Sequence, residues 1–222
     1  MCGRFTLTLD PMELRQAFDL GDLPPEWIPR YNVAPSQPVA VVADAVQRKV
    51  DFMRWGLVPS WAKDLSIGNK LINARSETIV EKPSFRSAFA RRRCLVLADG
   101  FFEWTKPDKV AGQPAIPHYF QLRGGKPFAF AGLWELWREP EGDSLKSCTI
   151  ITCAANPLVA KVHERMPVIL DPTSAWDWLA ESSTADLLAL LRPYSAEEMT
   201  AHPVSRAVND PKHDHLALIQ PG

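Results

Sequence analysis

Residues 94–104 read Cys94-Leu95-Val96-Leu97-Ala98-Asp99-Gly100-Phe101-Phe102-Glu103-Trp104: five apolar residues, then a carboxylate set among aromatic rings. A short unbroken apolar run of this length reads as a buried strand. Further strand-like stretches, some broken by polar residues, are expected at 39–43, 51–57, 118–122, 128–133 and 148–153, with shorter ones at 167–170 and 202–205. Helical signals are fewer. Asp10-Pro11-Met12-Glu13 supplies a cap, a first-turn proline and an acidic third position, and Leu14, Ala17 and Phe18 continue an apolar stripe to about residue 20. Pro24 and Pro25 end that unit. Further helices are expected at 83–91, at 157–162 after an Asn156 cap, and as a pair at 174–179 and 184–191. Strands dominate and the helices come late, which predicts an α+β fold: one domain over 1–222, a curved, mainly antiparallel, barrel-like sheet and peripheral helices.

The bulk properties agree with an ordinary globular chain. It has 222 residues, 23% of them charged, so a core can form without disulfides or metal. No apolar run of about eighteen residues predicts a membrane span. The start lacks a basic-then-apolar signal pattern, so a cytoplasmic or nucleoid location is expected. Cys94, Cys148 and Cys153 lie in or beside strand-like apolar runs and read as buried thiols. The net charge of −1 argues against a whole-surface nucleic-acid binder but leaves room for a local basic groove. Lys82, Arg86, Arg91, Arg92 and Arg93 form one basic cluster that reads as a solvated face. His213 and His215 lack companions that would complete a metal site, and no glycine-rich phosphate loop is present, so neither metal nor nucleotide cofactor is expected.

The segment with the most distinctive chemistry is Met1-Cys2-Gly3-Arg4. Trimming Met1 leaves an amine and a thiol on one residue, with reference pKa values of about 7.7–8.0 and about 8.5. The amine can condense with an aldehyde, and the thiol can then close a five-membered thiazolidine. That closure is intramolecular, so it gains an effective molarity on the order of 10⁵ M or more. An internal cysteine has no such route. Three other segments carry candidate helpers. Asn73 and Arg75 stand two apart, on one face if extended, as an amide and a phosphate-gripping fork. Glu103, desolvated among aromatics, would have a raised pKa suited to proton transfer. His163 and Arg165 fall at a helix end just before a strand.

These segments together resemble the SOS-response-associated peptidase (SRAP) family of abasic-site-processing proteins. The resemblance runs along nearly the whole chain: Met1-Cys2-Gly3-Arg4-Phe5, Arg30-Tyr31-Asn32-Val33-Ala34-Pro35, Arg54-Trp55-Gly56-Leu57-Val58-Pro59, Ile72-Asn73-Ala74-Arg75-Ser76-Glu77-Thr78, Ala98-Asp99-Gly100-Phe101-Phe102-Glu103-Trp104, His163-Glu164-Arg165-Met166-Pro167 and His202-Pro203-Val204-Ser205. It implies binding of single-stranded DNA at an abasic site and a thiazolidine cross-link from the mature Cys2 to the opened sugar. By the same resemblance Glu103 serves as general acid and base, His163 assists ring opening or stabilises the sugar oxygens, and Asn73 positions the reacting terminus. Arg4, Arg75 and Arg165 would meet phosphates, Pro35, Trp61 and Trp104 would stack on or wedge against bases, and Thr152 would add a polar contact. No cofactor, metal or membrane is implied, and the chain is expected to act as a monomer. The peptidase label implies self-removal of what precedes Cys2, with a lyase activity as a further expectation.

Two other readings fit the residues less fully. An N-terminal-nucleophile amidohydrolase would use the Cys2 thiolate and its own amine, but leaves the Arg and Trp residues without a task. A non-catalytic module for single-stranded or junction DNA would leave Cys2 as packing only.

Overall fold

A computed structural model of the chain describes residues 2–24, 26–107, 112, 114–139 and 142–222. In chain order the elements are β1 (Arg4–Leu7), α1 (Pro11–Phe18), β2 (Arg30–Val33), β3 (Pro38–Val42), β4 (Val50–Trp55) and β5 (Asn73–Arg75). They continue as α2 (Arg86–Arg91), β6 (Arg93–Ala98), β7 (Gly100–Trp104), β8 (Pro117–Leu122), β9 (Phe128–Arg138) and β10 (Ser144–Ala154). The chain ends with β11 (Arg165–Pro167), β12 (Ile169–Leu170), α3 (Pro172–Leu179), α4 (Thr184–Leu190) and β13 (Met199–Pro203).

Five strands close on themselves in the order β10–β4–β3–β6–β9 and back to β10. Only the β10–β4 edge of that ring is parallel. Closure removes free strand edges and buries the inner face, while β1, α2 and α3 cover the outside of β6 and the two helices cover that of β9. It therefore suits runs such as β6, where residues 94–98 are all sealed from water. The second sheet, β13–β8–β7–β1–β2, is antiparallel throughout. Its inner face packs on the barrel: Phe5 meets Trp55 and Phe130 edge-on, with centroids 5.2 and 5.6 Å apart. Phe101 stacks on Phe120 at 5.1 Å. Each fully buried ring of this kind contributes about 1.5–3 kcal/mol through area removed from water. The outer face of the same sheet carries a smaller cluster of Phe102, Tyr119, Val204, Val208 and Leu218.

The architecture is the expected α+β barrel, and the Asp10 cap behaves as read, accepting from the Met12 N–H at 2.7 Å. The structure adds a cap at Asp171, which accepts from the N–H groups of Thr173 and Ser174. Two expectations are corrected. Asn156 does cap, accepting from the N–H groups of Leu158 and Val159, but only one 3-10 turn, Val159–Lys161, follows. Pairing of Ala154 with Arg165 requires the chain to turn back within ten residues, which leaves no length for a helix. The strand expected at 167–170 is split at Val168, whose N–H reaches Ile151 O and whose carbonyl accepts from Ala131. There the chain crosses from β10 to β9. The basic cluster is less solvated than expected. Arg93 donates to the carbonyls of Phe89, Ala90, Trp178 and Ala180, pinning α3 to α2, and Arg92 pairs with Glu135 at 2.5 Å.

Candidate active site

Strand β1 lies on β7 with Arg4 opposite Phe102, Phe5 opposite Phe101 and Thr6 opposite Gly100. The same register carried two residues outward brings Gly3 level with Glu103 and Cys2 level with Trp104. Cys2 is wholly buried, its Sγ 3.8 Å from Arg4 O. Strand β5 lies parallel to β10, with Asn73 opposite Ile150 and Arg75 opposite Thr152. From there the Asn73 amide donates to Cys2 O at 2.8 Å. Strand β11 flanks β10 on the edge opposite β5, with Thr152 between Arg75 and Pro167 and Ala154 opposite Arg165. The His163 Nδ1 accepts the Arg165 N–H at 3.0 Å, which places the proton of the neutral ring on Nε2. An exposed contact of 3.9 Å between Lys106 and Glu164 ties the segment after β7 to the neighbour of His163.

Burial sets the protonation states. Glu103 is 2% exposed, and desolvation pushes its pKa up to about 7. Near neutrality it is therefore split between acid and base. Burial, with the nearby Glu103 charge second, drives the Cys2 thiol far above its usual range, so the thiol form prevails. Burial lowers the His163 pKa, which favours neutral imidazole. A thiol, a half-protonated carboxyl, a neutral imidazole and a carbonyl-gripping amide thus come together, which suits proton-coupled addition to an electrophilic carbon.

The expected DNA contacts divide into two groups. Arg75 is exposed, its guanidinium making no hydrogen bond or ion pair among the described residues, and Trp61 is 59% exposed. The turn after Trp61 is held by Trp137, which donates to Ala62 O at 2.8 Å. Pro35 is half-buried, as is Trp104, whose Nε1 donates to Asn209. Arg4 and Arg165 are already engaged. Arg4 donates to Asn32 Oδ1 and to the carbonyls of Val208 and Asn209. Arg165 grips Glu77 through both nitrogens, at 2.5 and 3.0 Å, and donates to Thr152 O. Thr152 is itself fully buried.

Sequence reasoning assigned no task to three residues that shape this region. Asn32, fully buried, receives Arg4 and donates to the carbonyls of Val208, Asp210 and His213. Glu77 occupies the Arg165 fork, and Asp99 gathers the end of β1. All three stand inside quoted motifs, yet a short polar residue in a motif carries no mark of its partner. An apolar cavity of about 430 Å³ between Leu7, Trp27, Val33 and Phe52 contains none of Cys2, Asn73, Glu103 or His163. Among the described residues no group of three or more His, Cys, Asp or Glu could hold a metal ion, and no helix is long and apolar enough to cross a membrane.

The profile of the SOS response associated peptidase (SRAP) family matches residues 1–211. The chain belongs to the SRAP family. Among SRAP relatives, the abasic site processing protein YoqW of Bacillus subtilis is 44% identical, over 99% of both chains. The abasic site processing protein HMCES of Gallus gallus is 35% identical, over all of this chain and 78% of that one. A crystal structure from Bacteroides thetaiotaomicron, 26% identical over the whole of both chains, shares the fold with a TM-score of 0.86. The SRAP match thus includes Cys2, Asn73, Glu103 and His163.

Proposed function

We propose that this protein processes abasic sites in single-stranded DNA by linking itself to the lesion through Cys2. The observation that carries the proposal is the seating of Cys2 beside a glutamate whose pKa stands at about 7, with its carbonyl held by Asn73. The names of the relatives point to the same substrate. Removal of Met1 hydrolyses one peptide bond and frees the Cys2 amine. The amine nitrogen then adds to the aldehyde carbon of the ring-opened sugar, and loss of one water leaves a C=N bond. The thiol adds across that bond, its sulfur to carbon and its proton to nitrogen, to close the thiazolidine. No electrons are exchanged with an outside partner. Glu103 supplies the proton for water loss and can take one from the amine, while His163, neutral with its proton on Nε2, donates to the sugar oxygen. The finished link shields the lesion.

In this reading Arg75 is the first phosphate contact and Trp61 the stacking platform, where each base contributes about 1–3 kcal/mol. Arg165 reaches a phosphate only by exchanging Glu77 for it. Arg4 acts from within, holding the C-terminal segment against β2. The protein acts as a monomer in the cytoplasm or on the nucleoid.

The test is a single-stranded oligonucleotide bearing one abasic site, mixed with protein whose Met1 is confirmed absent by mass spectrometry and run on a denaturing gel. Wild type should give a shifted covalent band, and Cys2→Ala none. Absence of the wild-type band would sink the proposal. Amide hydrolysis without the band would favour the amidohydrolase, and salt-sensitive binding that survives Cys2→Ala without a band would favour a non-catalytic module.

A further inference from the structure

The mechanism uses Glu103 but leaves a second buried carboxylate on the same segment without a task. Asp99 directly precedes β7, is 4% exposed and accepts four hydrogen bonds. Its Oδ1 takes the Thr6 hydroxyl at 2.5 Å, and its Oδ2 takes the Thr8 N–H at 2.5 Å, the Thr8 hydroxyl at 2.6 Å and the Leu9 N–H at 3.1 Å. The Asp99 N–H in turn reaches Thr6 O at 3.1 Å. Since Thr6 gives its only hydroxyl proton to Asp99, the 3.1 Å contact with Tyr119 makes the tyrosine the donor. A relay therefore runs from Tyr119 through Thr6 to Asp99. It depends on Gly100: a Cβ there would lie 2.1 Å from the Tyr119 oxygen.

The need for such an anchor lies in β1 itself. The strand has four residues, and its pairing with β2 is irregular between Phe5 and Leu7, so its backbone ladder alone specifies register weakly. A slip of one residue would displace Cys2 by about 3.3 Å along β7 and turn Phe5 out of the core. Asp99 precedes β7 and Glu103 lies near the strand's other end. The first captures the far end of β1, and the second sits where the near end delivers Cys2.

We propose that Asp99, acting through Thr6 and Tyr119, is a positioning residue that locks the register of β1 and so seats Cys2 beside Glu103. The inference deepens the cross-linking reading and rests on it for its catalytic consequence, but the seating of Cys2 can be read without DNA.

The experiment uses Thr6→Val, which keeps the β-branched shape and removes the bridging hydroxyl, with Thr6→Ser as the conservative control. Alkylation of each cysteine by N-ethylmaleimide is followed by peptide mass spectrometry, beside the single-turnover cross-linking rate at saturating abasic-site DNA. Thr6→Val should speed Cys2 alkylation at least fivefold, leave Cys94 and Cys148 as slow as in wild type, and slow cross-linking at least tenfold with DNA affinity within twofold. Thr6→Ser should restore both readouts to within about twofold. Unchanged Cys2 alkylation in Thr6→Val, or alkylation rising equally at Cys94, would overturn the proposal, because the network would then serve stability alone. If wild type forms no cross-link, the cross-linking reading fails and the alkylation result still decides the anchor.

Discussion

Glu135 on the barrel strand β9 and Glu103 on the second sheet are both almost sealed from water, at 5% and 2% exposure. Their surroundings differ. Glu135 faces the Arg92 guanidinium at 2.5 Å, across the junction of α2 and β6, so its negative charge is matched by a fixed cation. Glu103 lies beside the Cys2 thiol, and burial dominates its ionisation, raising its pKa to about 7. The same side chain is thus a strut in one region and, in the proposed mechanism, a proton carrier in the other. Asp99 stands between them: its charge is met by four donated hydrogen bonds from the end of β1. The compensating groups around a buried carboxylate, more than its depth, decide what it can do.

The comparison is broken or sharpened by substitution. Glu103→Gln keeps size and removes titration, so the covalent reaction should slow by about 10²–10⁴-fold, the usual range for a lost acid–base group. Its rate profile should also lack the inflection near pH 7 expected of wild type, with stopped sampling across pH 5.5–8.5 as the check. The stability effect has the opposite sign. Folded Glu103 holds its proton up to about pH 7, whereas the unfolded side chain releases it near 4.5. Burial therefore carries no penalty below about pH 4.5, a growing one as pH rises, and the full one above 7. That penalty is on the order of 3 kcal/mol. Thermal melts should show wild type losing ground to Glu103→Gln between pH 5 and 8, and parallel curves would remove the raised pKa from the argument.

Glu135→Gln should do the reverse. It weakens a buried ion pair and should lower stability by about 1–3 kcal/mol in denaturant titrations, while each folded molecule reacts at the wild-type rate. A slower reaction there would mean that the barrel strut also governs the site. The smallest effect is expected at Arg75→Ala. Loss of one phosphate contact should reduce the slope of log affinity against log salt by about 0.7 for single-stranded DNA, leaving stability within about 0.5 kcal/mol. An unchanged slope would take Arg75 off the phosphate path.

The same contrast explains what could be read from the chain alone. Strands β3, β6, β9 and β10 announce themselves as largely apolar runs because the barrel buries one face and neighbouring elements cover much of the other, while β4 alternates and leaves Phe52 exposed; the expected and observed spans overlap throughout. Strands β1, β2, β5 and β7 went unrecognised as strands. They have three to five residues, and they mix Arg, Asn, Gly and Glu with their apolar positions. Those four carry or support the site. Cys2, Asn73, Glu103 and His163 were legible through side-chain chemistry and family resemblance, since each brings a reactive group. Asp99 and Asn32 were not, since their work consists of partners far along the chain: residues 6–9 for one, residues 208–213 for the other. The engaged state of Arg4 and Arg165 was hidden for the same reason.

The pairing of β1 also has a consequence for the order of events on the ribosome. Its neighbours in the sheet are β2 and β7, and Asn32 beside it waits for the carbonyls of residues 208–213. Synthesis runs from the amino end, so the strand leading from Cys2 has no β7 partner until about a hundred residues have been joined. During that interval no completed sheet buries Cys2, and Asp99 cannot yet hold the strand in register. The completed seat for Cys2 forms only when nearly the whole polypeptide is present. In the proposed mechanism, the freed amine is therefore aligned for attack only after synthesis is nearly complete.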